Sequence, residues 1–387
     1  MVSPPTGEAV RALLDEAHLE LGPRVASFAA DELASLPHAA SDDQARAQAR
    51  EILALLGRGG WLDPIQALDL RAMALTREAL AWASPLADAV FALQALGTVP
   101  ILISDNEMLK DRWVGPALGG QAMGAFVMTE PDAGSDVGSM TTTARRDGDE
   151  YILEGAKTFI SNAGIADFHT VFASTDPQAG RRGISCFVVP AGTPGLEYVR
   201  PLVMSEPHPL GELAFRECRI PADHRLGEKG EGFKLGMAVL DRLRPTVGAA
   251  ACGMGGRALA EALDHASSRE QFGRPLADFQ LVQEKLSRMA TELDAARLLT
   301  YRAAWLHDQG RERITLEAAQ AKGYATEAAQ GIVDDAVQIL GGRGVMADHP
   351  VDRLYRAVRA LRIYEGTTEI QHLVVAREVL RAREPGG

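Results

Sequence analysis

A single carboxylate, Glu365, stands at a sharp break in the C-terminal part of this 387-residue chain. An apolar and aromatic stretch ends at Glu365, Gly366 follows, and Thr367 and Thr368 lead into a predicted helix. Glycine permits the backbone dihedrals of a tight turn, and a threonine hydroxyl can cap the helix that begins there. Glu365 would therefore project from a turn that is held rigidly on both sides. A surface glutamate favoured by the helix dipole is an equally good interpretation of this stretch alone.

Two segments of a predicted β-domain combine hydroxyl groups with aromatic rings or a glycine loop. Residues 126–136 place a hydroxyl, a proline turn and a Gly-Ser-Asp loop after the first predicted strand, and exposed N–H groups of such a loop can bind phosphate. Phe159 and Ser161 are two residues apart and so share one face of a strand, which suits a flat heteroaromatic ring. Taken alone, residues 126–136 are better explained as an ordinary Pro-Asp-Ala-Gly turn, and the segment of Phe159 and Ser161 is similar in kind.

Arg269 opens the segment of residues 269–280 between two predicted helices, where a guanidinium could clamp a phosphate. A surface arginine is the alternative. The glycines of residues 253–256 and 342–344 lack the strand, turn and helix context of a dinucleotide fingerprint, and the chain has no alternating βαβ pattern. A doubly wound nucleotide fold is therefore disfavoured.

The elements that must position these residues form three blocks. Residues 1–122 carry helix signals, such as the capping box of residues 41–44 and the Asp63-Pro64 start. Residues 123–228 are β-branched and aromatic, with a hairpin signal at Asp147-Gly148 and further strands at 169–174, 184–190 and 212–221. Residues 229–387 contain two long apolar stripes at helical spacing, over 282–306 and 318–339. We predict an α+β protein with an N-terminal helical domain, a mostly antiparallel β-domain and a C-terminal four-helix bundle.

Composition limits the classes of partner. A hydrophobic content of 46% is ample for buried cores, and the net charge of −12 argues against nucleic acid and against an anionic membrane. Cys186, Cys218 and Cys252 are widely spaced and suggest neither disulfides nor a metal site. The N-terminus lacks a targeting pattern, and no uninterrupted apolar run reaches the roughly 20 residues that span a bilayer. We expect a cytoplasmic protein that acts on a small molecule.

Five ordered segments together resemble those of the acyl-CoA dehydrogenase family. They are residues 126–136, 157–164, 269–280, 338–342 and 363–371, and the resemblance runs from about residue 120 to residue 380. Members of this family use FAD to oxidise an acyl thioester to its α,β-enoyl form. The resemblance therefore implies a flavoprotein with the three-domain fold predicted above.

The resemblance assigns Glu365 as the base that removes the α-proton, while flavin N5 takes the β-hydrogen as hydride. A carbon acid next to a carbonyl needs a positioned base, and no side chain can accept a hydride. The backbone N–H of Glu365, with a flavin ribityl hydroxyl, would bind the thioester carbonyl, and Gly366 would leave room for it. Leu243 is apolar at the position where some relatives carry the base, which supports Glu365.

The resemblance also implies the cofactor and substrate contacts. In the β-domain the expected FAD contacts are Phe126, Met128, Thr129, Gly134, Ser135, Phe159, Ile160 and Ser161. Contacts to the FAD of a neighbouring subunit, in a homotetramer, are expected from Arg269, Phe272, Gln280, Gln338, Gly341 and Gly342, and Thr367 and Glu369 complete the cofactor site. The expected substrate contacts are Ser135, Asp241, Arg244, Tyr364 and Gly366. No metal is expected, and an electron-transferring flavoprotein is the implied electron acceptor.

One departure from the family leaves the acyl carrier open. Residues 204–211 stand where many relatives carry a Met-Gly-x-Arg-x-Ser loop, and Glu206 falls at about the usual arginine. The same reaction on an acyl group attached to a carrier protein is therefore an alternative to an acyl-CoA substrate. A flavin oxidase or monooxygenase and a non-catalytic binding protein on the same fold are two further alternatives. Acyl length and branching are not predicted.

Overall fold

The computed structural model describes residues 4–383. Residues 1–3, which begin the segment without a predicted targeting pattern, and residues 384–387 lie outside the described residues. Within residues 4–383, helices precede and follow a central group of strands. This order confirms the predicted α+β class.

Two of the N-terminal helices begin at start signals of the sequence, the capping box of residues 41–44 and Asp63-Pro64. The N-terminal helices are α1 (Glu16–Phe28), α2 (Asp42–Arg58), α3 (Asp63–Ala67), α4 (Leu70–Ala83), α5 (Pro85–Leu102) and α6 (Glu107–Leu118). The Ser41 hydroxyl accepts a hydrogen bond from Gln44 N, and the Gln44 side chain accepts one from Ala40 N, so the predicted cap of α2 is confirmed. Helix α4 is buried on all sides.

Eight strands form one sheet. They are β1 (Gly124–Val127), β2 (Thr143–Asp147), β3 (Glu150–Ser161), β4 (Phe168–Ser174), β5 (Ile184–Pro190), β6 (Leu196–Pro201), β7 (Leu210–Pro221) and β8 (Arg225–Leu226). Their order is β6-β7-β3-β2-β4-β5-β8, with β1 paired to β4. All pairs are antiparallel except β1 with β4 and the single contact of β2 with β4. The mostly antiparallel sheet is therefore confirmed.

The two-residue turn at Asp147 and Gly148 sets the register of the central hairpin. Asp147 pairs with Glu150, and Gly148 has a φ of 60°, a value that glycine adopts without strain. Alternate residues of β2, β3 and β7 then face one apolar core, which includes Ala144, Leu153 and Phe215.

The C-terminal part consists of long helices. They are α7 (Gly232–Ser268), α8 (Gln280–Asp308), α9 (Thr315–Leu340), α10 (Pro350–Leu361) and α11 (Thr368–Arg381), with the short strands β9 (Glu270–Gln271) and β10 (Arg274–Pro275) between α7 and α8. Their core includes Met254, Leu293, Ile332 and Leu354. Both predicted apolar stripes lie on α8 and α9.

Small residues of α7 let other helices approach closely. A Cβ at Gly253 would lie 2.2 Å from the carbonyl oxygen of Glu78, and one at Gly248 would lie 2.5 Å from Thr300 Oγ1. Neither space admits a methyl group. Glycine is therefore required at these two positions for the packing of α7.

The chain divides into two compact units. The first comprises residues 1–37, 68–88 and 241–387, and the second comprises residues 38–67 and 89–240. The second unit contains the eight-stranded sheet, and the first contains Glu365. The three-domain boundaries at residues 122 and 228 stay a prediction.

Helix α5 is long and apolar enough to cross a membrane. In this protein 78% of that helix is buried among other residues, as in the core helix of a globular domain. Within residues 4–383 this is the one helix that meets the criterion.

Candidate active site

Glu365 lies in the turn between α10 and α11, where its own backbone adopts a left-handed conformation. Its φ is 54° and that of Gly366 is 93°. A non-glycine residue with positive φ is uncommon and costs roughly 1–3 kcal/mol, so surrounding contacts must hold it. Thr367 caps α11 by accepting a hydrogen bond from Ile370 N, which confirms the predicted cap. The sequence predicted the turn and the glycine, but not the strained glutamate.

Three side chains hold this turn by its carbonyl oxygens. Arg244 Nε donates to Glu365 O at 3.1 Å, and Lys322 Nζ donates to Gly366 O at 2.6 Å. Gln371 Nε2 donates to both oxygens, at 3.3 and 2.9 Å. The donors come from α7, α9 and α11, so packing of the helices fixes the turn.

The carboxyl group of Glu365 is buried in a field of opposing charges. Burial raises the pKa of Glu365, while the positive charges of Arg77, Arg244 and Lys322 oppose the rise. Glu365 Oε2 is buried and has no hydrogen-bond partner among residues 4–383. A carboxylate with a raised pKa and an unengaged oxygen can accept a proton from a bound molecule.

Arg77 acts on the charge of Glu365 and is held in a buried hydrogen-bond network. Its Nε and Nη2 donate to Asp88 at 2.7 and 2.9 Å, and its Nη1 donates to Thr246 at 2.9 Å. Arg77 is 2% exposed and Asp88 is 1% exposed. Burial raises the pKa of the neighbouring Tyr364, and the positive charge of Arg77 opposes this rise. Tyr364 therefore stays a neutral phenol. The sequence indicated no chemistry for Arg77 and Asp88.

The backbone N–H of Glu365 donates to no other group of residues 4–383. It is therefore available to an acceptor of a bound molecule. A Cβ at Gly366 would lie 2.6 Å from Gln371 Nε2 and 3.7 Å from Arg244 Nη2. The absence of a Cβ at Gly366 thus lets Gln371 and Arg244 lie close to the turn.

We expect Gly366→Ala to lower the free energy of unfolding by about 1–3 kcal/mol, because alanine is strained at this φ and displaces Gln371. Urea unfolding measures the change. The matched control is Gly331→Ala in α9, where a Cβ meets nothing within 4 Å. That variant gains about 0.5–1 kcal/mol, since alanine favours a helix over glycine. An equal gain in both variants would contradict the role of Gly366.

In the β-domain, a buried ion pair joins the two segments that carry hydroxyl and aromatic groups. Lys157 Nζ donates to Met128 O and to Glu130 Oε1, both at 2.9 Å. Glu130 also accepts from Thr141 N, Thr141 Oγ1 and Thr142 N. Lys157 and these hydrogen bonds hold the pKa of Glu130 down, at about 2, against its burial. Thr158 N donates to Thr129 O at 3.0 Å, so residues 126–130 and 157–161 are held together.

Two exposed phenylalanines adopt left-handed backbone conformations. Phe159 has a φ of 54° and is 64% exposed, and Phe272 has a φ of 53° and is 93% exposed. Among residues 4–383 six non-glycine residues have positive φ, and Phe159, Phe272 and Glu365 are three of them. Backbone strain together with an exposed ring is typical of residues that contact a ligand.

These features fit FAD. Phe159 offers an exposed aromatic ring two residues before Ser161, and the Gly134-Ser135 loop is exposed with open space beside Gly134. A flat ring and a pyrophosphate need such a face and such accessible N–H groups. The side chains of Met128 and Ile160 are buried, and the Phe126 ring packs 4.9 Å from that of Phe172. Contacts from Met128 and Ile160 would therefore come from their backbone.

The other predicted cofactor contacts lie at helix ends or turns of the first unit. Open space surrounds the Cβ positions of Gly341 and Gly342, which follow α9. The exposed members of this group are Arg269, Phe272, Gln280, Gln338, Gly341, Gly342 and Glu369. For all of these residues except Glu369, the predicted contact is to the FAD of a neighbouring subunit, and such a contact requires exposure.

The structure therefore brings the predicted residues together as two groups, one in each unit. Asp241, Arg244, Tyr364 and Gly366 join Glu365 in the first unit, where Arg244 Nη1 donates to Asp241 at 2.7 Å. Thr315 also donates to Asp241, at 2.7 Å. The β-domain residues from Phe126 to Ser161 form the second group.

The divergent loop of residues 204–211 packs against Ser161. His208 Nε2 lies 2.8 Å from Ser161 Oγ, and burial lowers the pKa of His208 to about 4, so its ring is neutral. Glu206 is buried and lies 3.6 Å from His38 Nδ1. An acidic side chain thus occupies this loop.

Sequence reasoning missed several residues of this region. Arg77, Lys322 and Gln371 surround Glu365, and Lys157 and Glu130 hold the β-domain segments. A charged residue inside an otherwise apolar helical stretch is the signal that could have found Arg77 and Lys322.

Within residues 4–383 one cluster, His18, Asp69 and Asp308, has the composition of a metal site. His18 Nε2 lies 3.0 Å from both oxygens of Asp69, and Arg71 Nε donates to Asp308 at 2.9 Å. The guanidinium of Arg71 already supplies positive charge to these carboxylates. The cluster is therefore an ion-pair network that joins α1, α4 and α8.

Known proteins are similar to this chain in sequence and in fold. The acyl-CoA dehydrogenase middle domain matches residues 125–218, and the acyl-CoA dehydrogenase C-terminal domain matches residues 230–380. A probable acyl-CoA dehydrogenase of Mycobacterium leprae is 38% identical over 380 residues, which cover 95% of this chain and 96% of the relative.

Two solved structures extend the comparison. The butyryl-CoA dehydrogenase of Megasphaera elsdenii superposes with a TM-score of 0.87 at 32% identity, covering 95% of this chain and 99% of that one. The prolyl acyl carrier protein oxidase AnaB gives a TM-score of 0.85 at 28% identity, with coverage of 95% and 99%. With this fold and these relatives, the chain belongs to the acyl-CoA dehydrogenase family of FAD-dependent oxidoreductases.

Proposed function

We propose that this protein oxidises an acyl-CoA thioester to the 2-enoyl thioester, with Glu365 as the base that removes the α-proton. The observation that carries the proposal is the Glu365 carboxyl group, buried with one oxygen unengaged in a strained and firmly held turn. Strain of this kind is maintained at functional sites because the geometry is needed there.

The surroundings of Glu365 suit removal of a weakly acidic C–H proton. Burial raises its pKa and makes the carboxylate a stronger base, while Arg77, Arg244 and Lys322 favour its ionised form. The Glu365 N–H would donate to the thioester carbonyl and stabilise the enolate charge that develops there. The missing Cβ of Gly366 lets Gln371 Nε2 approach the turn, and Tyr364 and Arg244 line the same turn.

FAD, when bound, accepts the β-hydrogen as hydride. Phe159 and Ser161 would hold its ring, Thr129 and Ser135 would donate to its polar edge and pyrophosphate, and Thr367 and Glu369 would complete the site. The exposed side chains of Arg269, Phe272 and Gln280, with Gln338, Gly341 and Gly342, would grip the FAD of a neighbouring subunit. A homotetramer in the cytoplasm and an electron-transferring flavoprotein as acceptor belong to the same proposal.

A second candidate is the same dehydrogenation of an acyl group attached to a carrier protein. The observation that favours it is Glu206, a buried acid in the loop where an arginine is usual. A negative charge there would repel the phosphates of CoA. The similarity to a carrier protein oxidase is consistent with this candidate.

A panel of thioesters tests both candidates. The FAD-loaded protein is mixed without oxygen with acyl-CoAs of increasing length, and with the same acyl groups on a carrier protein, while flavin absorbance is followed. We expect at least one acyl-CoA to bleach the flavin rapidly. Bleaching only by the carrier-bound forms would replace the first candidate with the second, and bleaching by neither would refute both. Peroxide formed in air after each reduction would indicate an oxidase.

A further inference from the structure

Lys322 differs from the other donors to the Glu365 turn. It lies on α9, is completely buried, and donates to Gly366 O at 2.6 Å. It has no carboxylate at ion-pair distance within the described part of the chain. A buried ammonium group costs several kcal/mol unless nearby charge compensates it.

A neutral donor would be enough to hold the turn. Gln371 holds Gly366 O and Glu365 O in this way, through one amide group. A buried lysine beside a glutamine that already makes the same hydrogen bond indicates a use for the charge. The acidic group that contributes most to the field at Lys322 is Glu365.

We propose that Lys322 is a positioning residue for Glu365: its hydrogen bond to Gly366 O fixes the turn, and its positive charge keeps the carboxyl group ionised. This inference rests on the proposed function, in which Glu365 is the base. Gln371 shares the first task and not the second. The two residues therefore separate geometry from charge.

Other charged groups also act on the Glu365 carboxyl group. Arg77 and Arg244 oppose the rise in its pKa as Lys322 does, and Asp88 adds to the rise. Lys322 itself has its pKa lowered by burial to about 8, so it is protonated at neutral pH. The groups facing these two side chains are Arg77 on α4, Asp88 on α5, Asp241 and Arg244 on α7, Glu327 on α9, Tyr364 in the turn, and Glu369 on α11.

Loss of the Lys322 charge should change the pKa of Glu365. Positive charge near Glu365 stabilises its carboxylate form and lowers its pKa, so loss of Lys322 raises that pKa. The acid side of the pH profile for proton removal then moves to higher pH. A role in packing alone would not move it.

The experiment measures proton removal directly. The probe is a short acyl-CoA whose β-methylene is replaced by sulfur, so that it has acidic α-hydrogens and no β-hydrogen to transfer. The FAD-loaded protein exchanges these α-hydrogens with deuterium from D₂O, and mass spectrometry gives the rate as a function of pH. Four variants are compared: Lys322→Met, Lys322→Gln, Gln371→Leu and Lys285→Met.

We expect Lys322→Met to move the acid limb upward by about one pH unit, and to lower the plateau rate by about tenfold because the turn loosens. Lys322→Gln gives the same shift with a smaller loss, since its amide can still donate, and it serves if the methionine variant does not fold. Gln371→Leu lowers the plateau and leaves the limb in place. Lys285→Met, which breaks the ion pair of Lys285 with Asp335, changes neither.

Two outcomes separate this inference from the proposed function. If Lys322→Gln shows the wild-type acid limb, or Gln371→Leu shifts it as far, the charge of Lys322 does not act on Glu365 and the inference fails. If Glu365→Gln exchanges the α-hydrogens as fast as the wild type, the proposed function itself fails.

Discussion

Replacement of Glu365 by glutamine is expected to leave an FAD-binding, folded protein whose reduction by an acyl thioester is about 10²–10⁴-fold slower. Glutamine has nearly the shape of glutamate, but its amide cannot accept a proton. The backbone carbonyls held by Arg244, Lys322 and Gln371 are unchanged, so the turn should persist. Anaerobic stopped-flow bleaching of the flavin measures the rate.

Stability distinguishes loss of a base from loss of structure in this variant. Because burial raises the pKa of Glu365, ionisation of this carboxyl opposes folding at neutral pH, and a neutral amide relieves that cost. The variant should therefore melt at or above the wild-type temperature. Glu292→Gln, a change at a surface acid that accepts from Tyr324 on α9, is the control and should keep the full rate. A slow and clearly destabilised Glu365→Gln protein would point to a structural role instead.

The sequence predicts features that depend on neighbouring residues. Thr367 caps α11, and Gly148 turns the β2–β3 hairpin, because each needs only one hydroxyl or one absent side chain at a fixed offset. Apolar and β-branched runs predict strands β4, β5 and β7. A strand with one or both faces buried is rich in such residues.

The sequence does not indicate strand β6, because this strand lacks such an apolar pattern. Its residues are mostly exposed, and it pairs only with β7 at the edge of the sheet. An edge strand buries little apolar surface, so it leaves no hydrophobic pattern in the sequence. Its identity as a strand comes from hydrogen bonds to β7, which no local signal encodes.

The surroundings of Glu365 could not be predicted from its own segment. The stretch before α11 indicates a turn, yet the charges that set the pKa of Glu365 come from residues 77, 244 and 322. Packing of α4, α7 and α9 brings them together. The left-handed φ of Glu365 likewise depends on donors from α7, α9 and α11, since its local sequence prefers an unstrained conformation.

The buried pair of Arg77 and Asp88 should give the largest single loss of stability. Arg77→Met leaves Asp88 buried without a partner, and we expect the free energy of unfolding to fall by about 3–5 kcal/mol. The same change removes the positive charge that most strongly opposes the rise in the pKa of Glu365. The acid limb of proton removal should therefore move to higher pH. Urea unfolding and the deuterium exchange assay measure the two effects.

The double variant Arg77→Met with Asp88→Leu tests whether the cost comes from the unpaired charge. Apolar side chains in place of both ions avoid a buried charge, so most of the stability should return. The pKa of Glu365 should return part of the way as well, because Asp88 raises it and Arg77 opposes that rise. Arg288→Met, which removes a half-exposed arginine from its pair with Asp335, should cost at most about 1 kcal/mol. If the double variant is as unstable as the single one, lost packing and hydrogen bonds of Arg77 account for the effect, because no unpaired charge is left.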